Sequence, residues 1–170
     1  MNNPLLTPFD AAPFSKIEDA HFLPAIQQLI KDTKAEIDSI VTQDDAPTFE
    51  NTVEALERTG EQLNRVTAIF FNLNSAETND TIQAIAQEVS PLLSDFKNDL
   101  LLNEALFERV KQVYDQRESL TLSPEQSTLL EKQYKGFSRN GANLSEAKKE
   151  KLRKIDSDLS RLKLNFGENI

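Results

Sequence analysis

The sequence predicts an all-α fold, a bundle-like array of about six helices preceded by an extended proline-containing arm. Apolar residues recur at steps of three and four through every long segment, the spacing that lines one face of a helix. The chain has four glycines and no tryptophan, which leaves little material for a turn-rich β fold. Start and stop residues fall at the ends of the periodic segments, so the pattern and its punctuation agree.

Residues 1–16 form the arm. Pro4, Pro8 and Pro13 each fix their own φ and bias the preceding residue toward extended geometry. Its apolar side chains, Leu5, Leu6, Phe9 and Phe14, predict that it lies against a protein body.

The first helix is expected over residues 19–42, with Phe22, Ile26, Leu29, Ile30, Ile37, Ile40 and Val41 on its buried side. Pro24 stands near its start, where backbone N–H groups lack helical partners anyway. A short polar link, 43–47, carries Asp44 and Asp45 and makes the next helix antiparallel to the first. That second helix reads as one long rod over 48–71, opened by a capping-box-like Asn51 and Glu54. Val53, Leu56, Gly60, Leu63, Thr67, Phe70 and Phe71 make its apolar stripe, with Glu54, Glu57, Arg58, Glu61, Gln62 and Arg65 opposite. An Asn-rich turn is expected at 72–79.

A third helix carries Ile82, Ile85, Val89, Leu93, Phe96 and Leu100. Pro91 falls inside it and predicts a bend or a break, since proline costs about 3 kcal/mol in a straight helix interior. Asn103 caps a fourth helix reaching Arg117, with Leu106, Phe107, Val110, Val113 and Tyr114 as its apolar set. Ser123-Pro124-Glu125-Gln126 combines a cap, a proline at the first helical position and a glutamine to reach back, so a fifth helix starts there and closes at Gly141. Ser145 opens the last helix, whose Leu152, Ile155, Leu159, Leu162 and Phe166 form a two-heptad seam. No closing signal follows it unless Gly167 supplies one. The expectation is one helical domain over residues 1–170, an arm at 1–16 and the array at 17–170, forming the amino-terminal part of a longer polypeptide.

The formal charge of −9 repels phosphate backbones and anionic lipid, so neither nucleic acid nor a membrane surface is an expected partner. No apolar run approaches the roughly 20 residues of a spanning helix, and the opening MNNPLLTPFDAAPF lacks the features of a secretory signal. The absence of cysteine excludes disulfides and thiolate metal sites, and fits a reducing, cytoplasmic location.

Four groups of residues invite a chemical reading, and each has a simpler one. Glu18 and His21 match the Glu-x-x-His element of di-iron bundles, but those sites use the element twice, and the chain has one histidine. The same count excludes a His-Glu-x-x-His zinc site, and no Gly-x-Ser-x-Gly elbow or phosphate loop is present. Glu57 and Glu61 stand one turn apart as a candidate acid/base pair, yet neighbouring Arg58 and Arg65 favour a charged surface. The run from Lys148 to Lys154 resembles a nucleic-acid patch, but Glu146, Glu150 and Asp156 interleave with it and Glu150 is spaced to pair with Lys154, which favours a solvated face. Asn72, Asn74 and Asn79 are candidates for holding a peptide backbone, against the ordinary role of asparagine in turns. No catalytic, cofactor-binding or metal-binding residue is assigned.

Several long words carry a resemblance. NPLLTPF, PFSKIEDAHFLPAI, PTFENTVEALERTGEQLNRVTAIFFNLNSAETND, LLEKQYKGFSRNGANLS and LSRLKLNFGEN together resemble the amino-terminal region of bacterial peptidyl-dipeptidases, in the thimet oligopeptidase and neurolysin family of zinc metallopeptidases. The central and final helices resemble the dipeptidyl carboxypeptidase branch, and the opening words also resemble oligopeptidase A. The resemblance implies a mostly helical enzyme whose two lobes flank a channel for short peptides. It also implies a zinc held by a His-Glu-x-x-His helix, a motif that none of these residues supplies. The chain is then a non-catalytic domain forming part of the channel wall, partnered by the remainder of its polypeptide. The competing reading is a free-standing helical adaptor whose grooves take partner helices.

Overall fold

The helices start where the sequence supplies acceptors for their first N–H groups. Ser123 Oγ accepts from Gln126 N at 3.3 Å while Gln126 Oε1 accepts from Ser123 N at 2.9 Å, a closed capping box. Asn103 Oδ1 takes Leu106 N and Asn79 Oδ1 takes Ile82 N, both at 2.9 Å. The computed structural model describes residues 3–168 and contains no strand among them. Its main elements are α1 (Phe22–Thr42), α2 (Ala55–Arg58), α3 (Glu61–Ala76), α4 (Asp80–Leu101), α5 (Glu104–Asp115), α6 (Pro124–Arg139) and α7 (Glu146–Glu168). None of these helices is long and apolar enough to cross a membrane.

The long second helix of the sequence reading is interrupted. A π-helical turn, Phe49–Glu54, leads into α2, and the chain then passes through Thr59 in extended geometry and Gly60 at φ +69° before α3 begins. The glycine on the apolar stripe therefore breaks the rod instead of lying on it, because the left-handed conformation is open to it at no steric cost. The opening cap lies three residues earlier than expected: Thr48 Oγ1 accepts from Asn51 N at 3.1 Å, and Thr48 N donates to Asn51 Oδ1 at 2.8 Å. At its far end α3 runs on to Ala76, so Asn72 and Asn74 are helical and not in the turn. Pro91 does not split α4, which continues through it.

Two compact units divide the chain, and α1, α4 and α7 each contribute to both. The first comprises Met1–Lys34, Gly60–Phe96 and Ile155–Ile170. Its core joins Leu5, Phe22, Ile26, Leu63, Val66, Phe70, Ile82, Ala86 and Val89. Phe22 and Phe70 meet at 5.1 Å between ring centroids, tilted by 54°, and Phe71 meets Phe70 edge-on. The arm belongs to this core. Leu5 is fully buried, a burial worth about 2 kcal/mol, and its carbonyl accepts from Gln62 Nε2 at 3.0 Å. Arg65 donates to the Asp10 carbonyl at 3.2 Å and stacks on the Phe9 ring.

The second unit comprises Ala35–Thr59 and Lys97–Lys154. Phe49, Val53, Val113 and Leu130 are its buried cluster, and Phe107, Tyr134 and Tyr114 stack alongside, the two tyrosines 3.9 Å apart and nearly parallel. Arg109 fixes the 43–47 link by donating to the carbonyls of Gln43 and Asp45. Gly141, at φ +100°, closes α6 with Ala142 N bonded to the Phe137 carbonyl at 3.1 Å.

The seam of α7 faces outward among the described residues. Leu152 is half-buried, but Ile155, Leu159, Leu162 and Phe166 are exposed, by 43 to 71%. The residues of that stretch that turn toward protein are Asp156, Ser157, Ser160 and Leu164.

Candidate functional site

His21 is committed to its own helix start. Glu18 N donates to His21 Nδ1 at 3.0 Å, the His21 N–H donates to the Glu18 carbonyl at 2.9 Å, and Asn3 Nδ2 donates to the His21 carbonyl at 2.8 Å. The imidazole's Nδ1 lone pair is thus used locally. Among the described residues no group of three or more His, Cys, Asp or Glu side chains is arranged to hold a metal ion. With one histidine and no cysteine in the chain, this donor set does not fit a zinc ion.

Glu57 and Glu61 do not form a pair on one helix, because the break at Thr59 and Gly60 puts them in α2 and α3. Glu57 instead accepts from Gln133 Nε2 at 3.4 Å, within the second unit. The basic run is not a uniformly solvated face either. Lys149 is buried, and its ammonium pairs with Glu146 at 2.9 Å, while Arg153 reaches Asp99 of α4 at 2.6 Å. Lys148, Lys151 and Lys154 remain exposed. Asn72 donates to the Ala68 carbonyl of its own helix at 2.8 Å, and Asn74 accepts from Thr78 at 3.4 Å. Asn79 caps α4 and donates to Asp19 Oδ2 at 3.0 Å. These asparagines serve the fold.

The second unit also has an open groove of about 600 Å³, lined by Glu57, Pro124, Glu125, Thr128, Leu129, Lys132 and Gln133. It forms where the start of α6 passes α2. Gln133 is drawn in by donating to the Val53 carbonyl at 3.1 Å, and its Oε1 is buried without a partner. The Ser123 hydroxyl, donating to Glu125 at 2.8 Å, holds that carboxyl below its ordinary range, helped by the backbone N–H of Glu125 itself. The groove therefore presents two carboxylates, one ammonium and a short apolar strip. Such a surface offers charge and hydrogen bonds, and the hydroxyl of Thr128 in its lining donates to the Pro124 carbonyl at 2.7 Å. Sequence reasoning missed it because its residues come from two helices 65 or more positions apart, and only the capping words around Ser123 were visible locally.

Residues 26–149 match the family described as Neurolysin/Thimet oligopeptidase, N-terminal domain. The chain is 37% identical over 99% of its length to dipeptidyl carboxypeptidase of Salmonella typhimurium, and equally to that of Escherichia coli. It is 28% identical over its whole length to oligopeptidase A of Escherichia coli. The chain spans about a quarter, 25%, of the length of each of these relatives. Matched over most of its length, the chain belongs to the N-terminal domain family of neurolysin and thimet oligopeptidase.

Proposed function

We propose that this chain is the non-catalytic N-terminal helical domain of a zinc-dependent oligopeptidase of peptidyl-dipeptidase type, and that it forms part of the wall of the channel through which short peptides reach the metal. The carrying observation is the family match over residues 26–149, joined to 37% identity with two proteins named dipeptidyl carboxypeptidase. The donor set supports a division of labour: the single histidine is used in a helix cap, so the zinc and its ligands belong to another part of the polypeptide. In that reading the metal polarises a scissile carbonyl, and residues 1–170 hold and shape the approach to it.

The coding sequence beyond residue 170 tests this directly. A His-Glu-x-x-His helix some hundreds of residues further on is the expected result. A stop codon at that point favours the free-standing adaptor, for which the exposed stripe of α7 would be the groove-filling surface.

A further inference from the structure

The last part of α7 turns Leu164 inward, beside the half-buried Asp156, Ser157 and Ser160. Leu164 packs against the core of the first unit, and Asn165 accepts from Gln87 Nε2 of α4 at 3.0 Å, so the rotation of the helix about its axis is fixed. With that face committed, Ile155, Leu159, Leu162 and Phe166 form an outward row at steps of four, three and four, about 17 Å long at 1.5 Å per residue. Scattered apolar residues on a surface need no explanation, but a row of four on one face of a helix, with its phenylalanine 71% exposed, does.

We infer that this row is the seam on which a helix from the remaining part of the polypeptide docks. The inference rests on the parent-enzyme reading above and names the partner surface of the same domain. Two considerations select this occupant. Four side chains fall well short of the roughly 800 Å² per partner that a stable complex between separate molecules buries. Two heptads are likewise shorter than the three or four that sustain a coiled coil. A segment of the same polypeptide docks at high effective concentration and needs far less area. The relatives supply such a segment, since 75% of their length lies outside the match. The flanking charges are mixed and mainly basic, Asp158, Arg161 and Lys163, in a chain of net −9, so the docking helix is apolar with acidic borders.

Residues 1–170 contain no cysteine, so labelling is site-specific in the 170-residue chain, and in the intact polypeptide it is read at position 162 by peptide mass spectrometry. Leu162→Cys, at an exposed position, is labelled with a maleimide in the 170-residue chain and in the intact polypeptide, with Lys31→Cys as an exposed control in each. The expected result is labelling at position 162 at least tenfold slower in the intact polypeptide, with the control unchanged and the 170-residue chain monomeric by sedimentation. Equal rates at position 162 in the two proteins would overturn the inference while leaving the parent enzyme intact. Protection of position 162 in a self-associated 170-residue chain would overturn it in favour of a second copy. A coding sequence that stops at residue 170 would remove the parent reading itself, an outcome distinguishable from both.

Discussion

Gly60 and Thr33 are in contact that leaves no room for a Cβ: an atom built there would lie 2.9 Å from Thr33 Cγ2. Thr33 is buried and cannot swing away cheaply, because its hydroxyl donates to the Leu29 carbonyl at 2.8 Å. Close approach and left-handed backbone therefore require glycine at the same position.

Gly60→Ala is expected to destabilise the chain by about 2 kcal/mol, combining the backbone cost of a left-handed alanine with the steric contact. Urea unfolding checks this. Adding Thr33→Ser, which removes the crowding methyl, recovers the steric part and leaves the backbone part. Full recovery in the double variant would show that φ at position 60 is not constrained.

The arm is held chiefly by one side chain. Leu5→Ala is expected to cost about 3 kcal/mol, within the range for leucine truncation in a core. Trypsin then cleaves after Lys16 faster than in the parent chain. Unchanged cleavage would mean that Gln62 and Arg65 suffice to hold the arm.

At the start of α6, Ser123→Ala removes both a cap and the hydroxyl donor to Glu125. A loss of about 1 kcal/mol is expected, with faster hydrogen exchange confined to the first turn of the helix. The Glu125 carboxyl simultaneously titrates closer to its ordinary value.

Lys135, hydrogen-bonded to Glu131 one turn away, holds that carboxyl below the ordinary glutamate value of 4.5. The folded state therefore binds fewer protons than the unfolded chain just below pH 4.5, so the contribution is complete above that value and is lost as pH falls through the lower folded value. Carboxyl NMR titration should place Glu131 below 4.5, and Lys135→Ala should move it back up. Exposure on both sides keeps the effect on stability small and salt-sensitive.

Much of the fold was legible because caps are local. Ser123 with Gln126, Asn103 with Leu106, and Gly141 act within a few residues, and each is placed where the sequence indicated. The break at Gly60 was not legible. A glycine on an apolar stripe is compatible with an unbroken helix, and its left-handed φ is not encoded in the period of the stripe. The seam of α7 was legible only in part. Its period is correct for burial, but periodicity reports which residues share a face and does not say what that face meets. Lys149 shows the same limit, a lysine within a charged run that is nevertheless buried against its own helix partner Glu146. The groove beside Ser123 brings Glu57 and Gln133 together across the sequence, a relation that no local pattern encodes.

In the function proposed above, residues 1–170 carry structure and contacts while the peptide-cleaving chemistry lies elsewhere in the polypeptide. The most direct measurement incubates the purified 170-residue chain with zinc and a set of short peptides, following carboxyl-terminal dipeptide release by mass spectrometry and bound metal by elemental analysis. The account predicts no cleavage above buffer and no stoichiometric zinc. Cleavage that follows the protein through repeated chromatography, with zinc bound one to one, would contradict it.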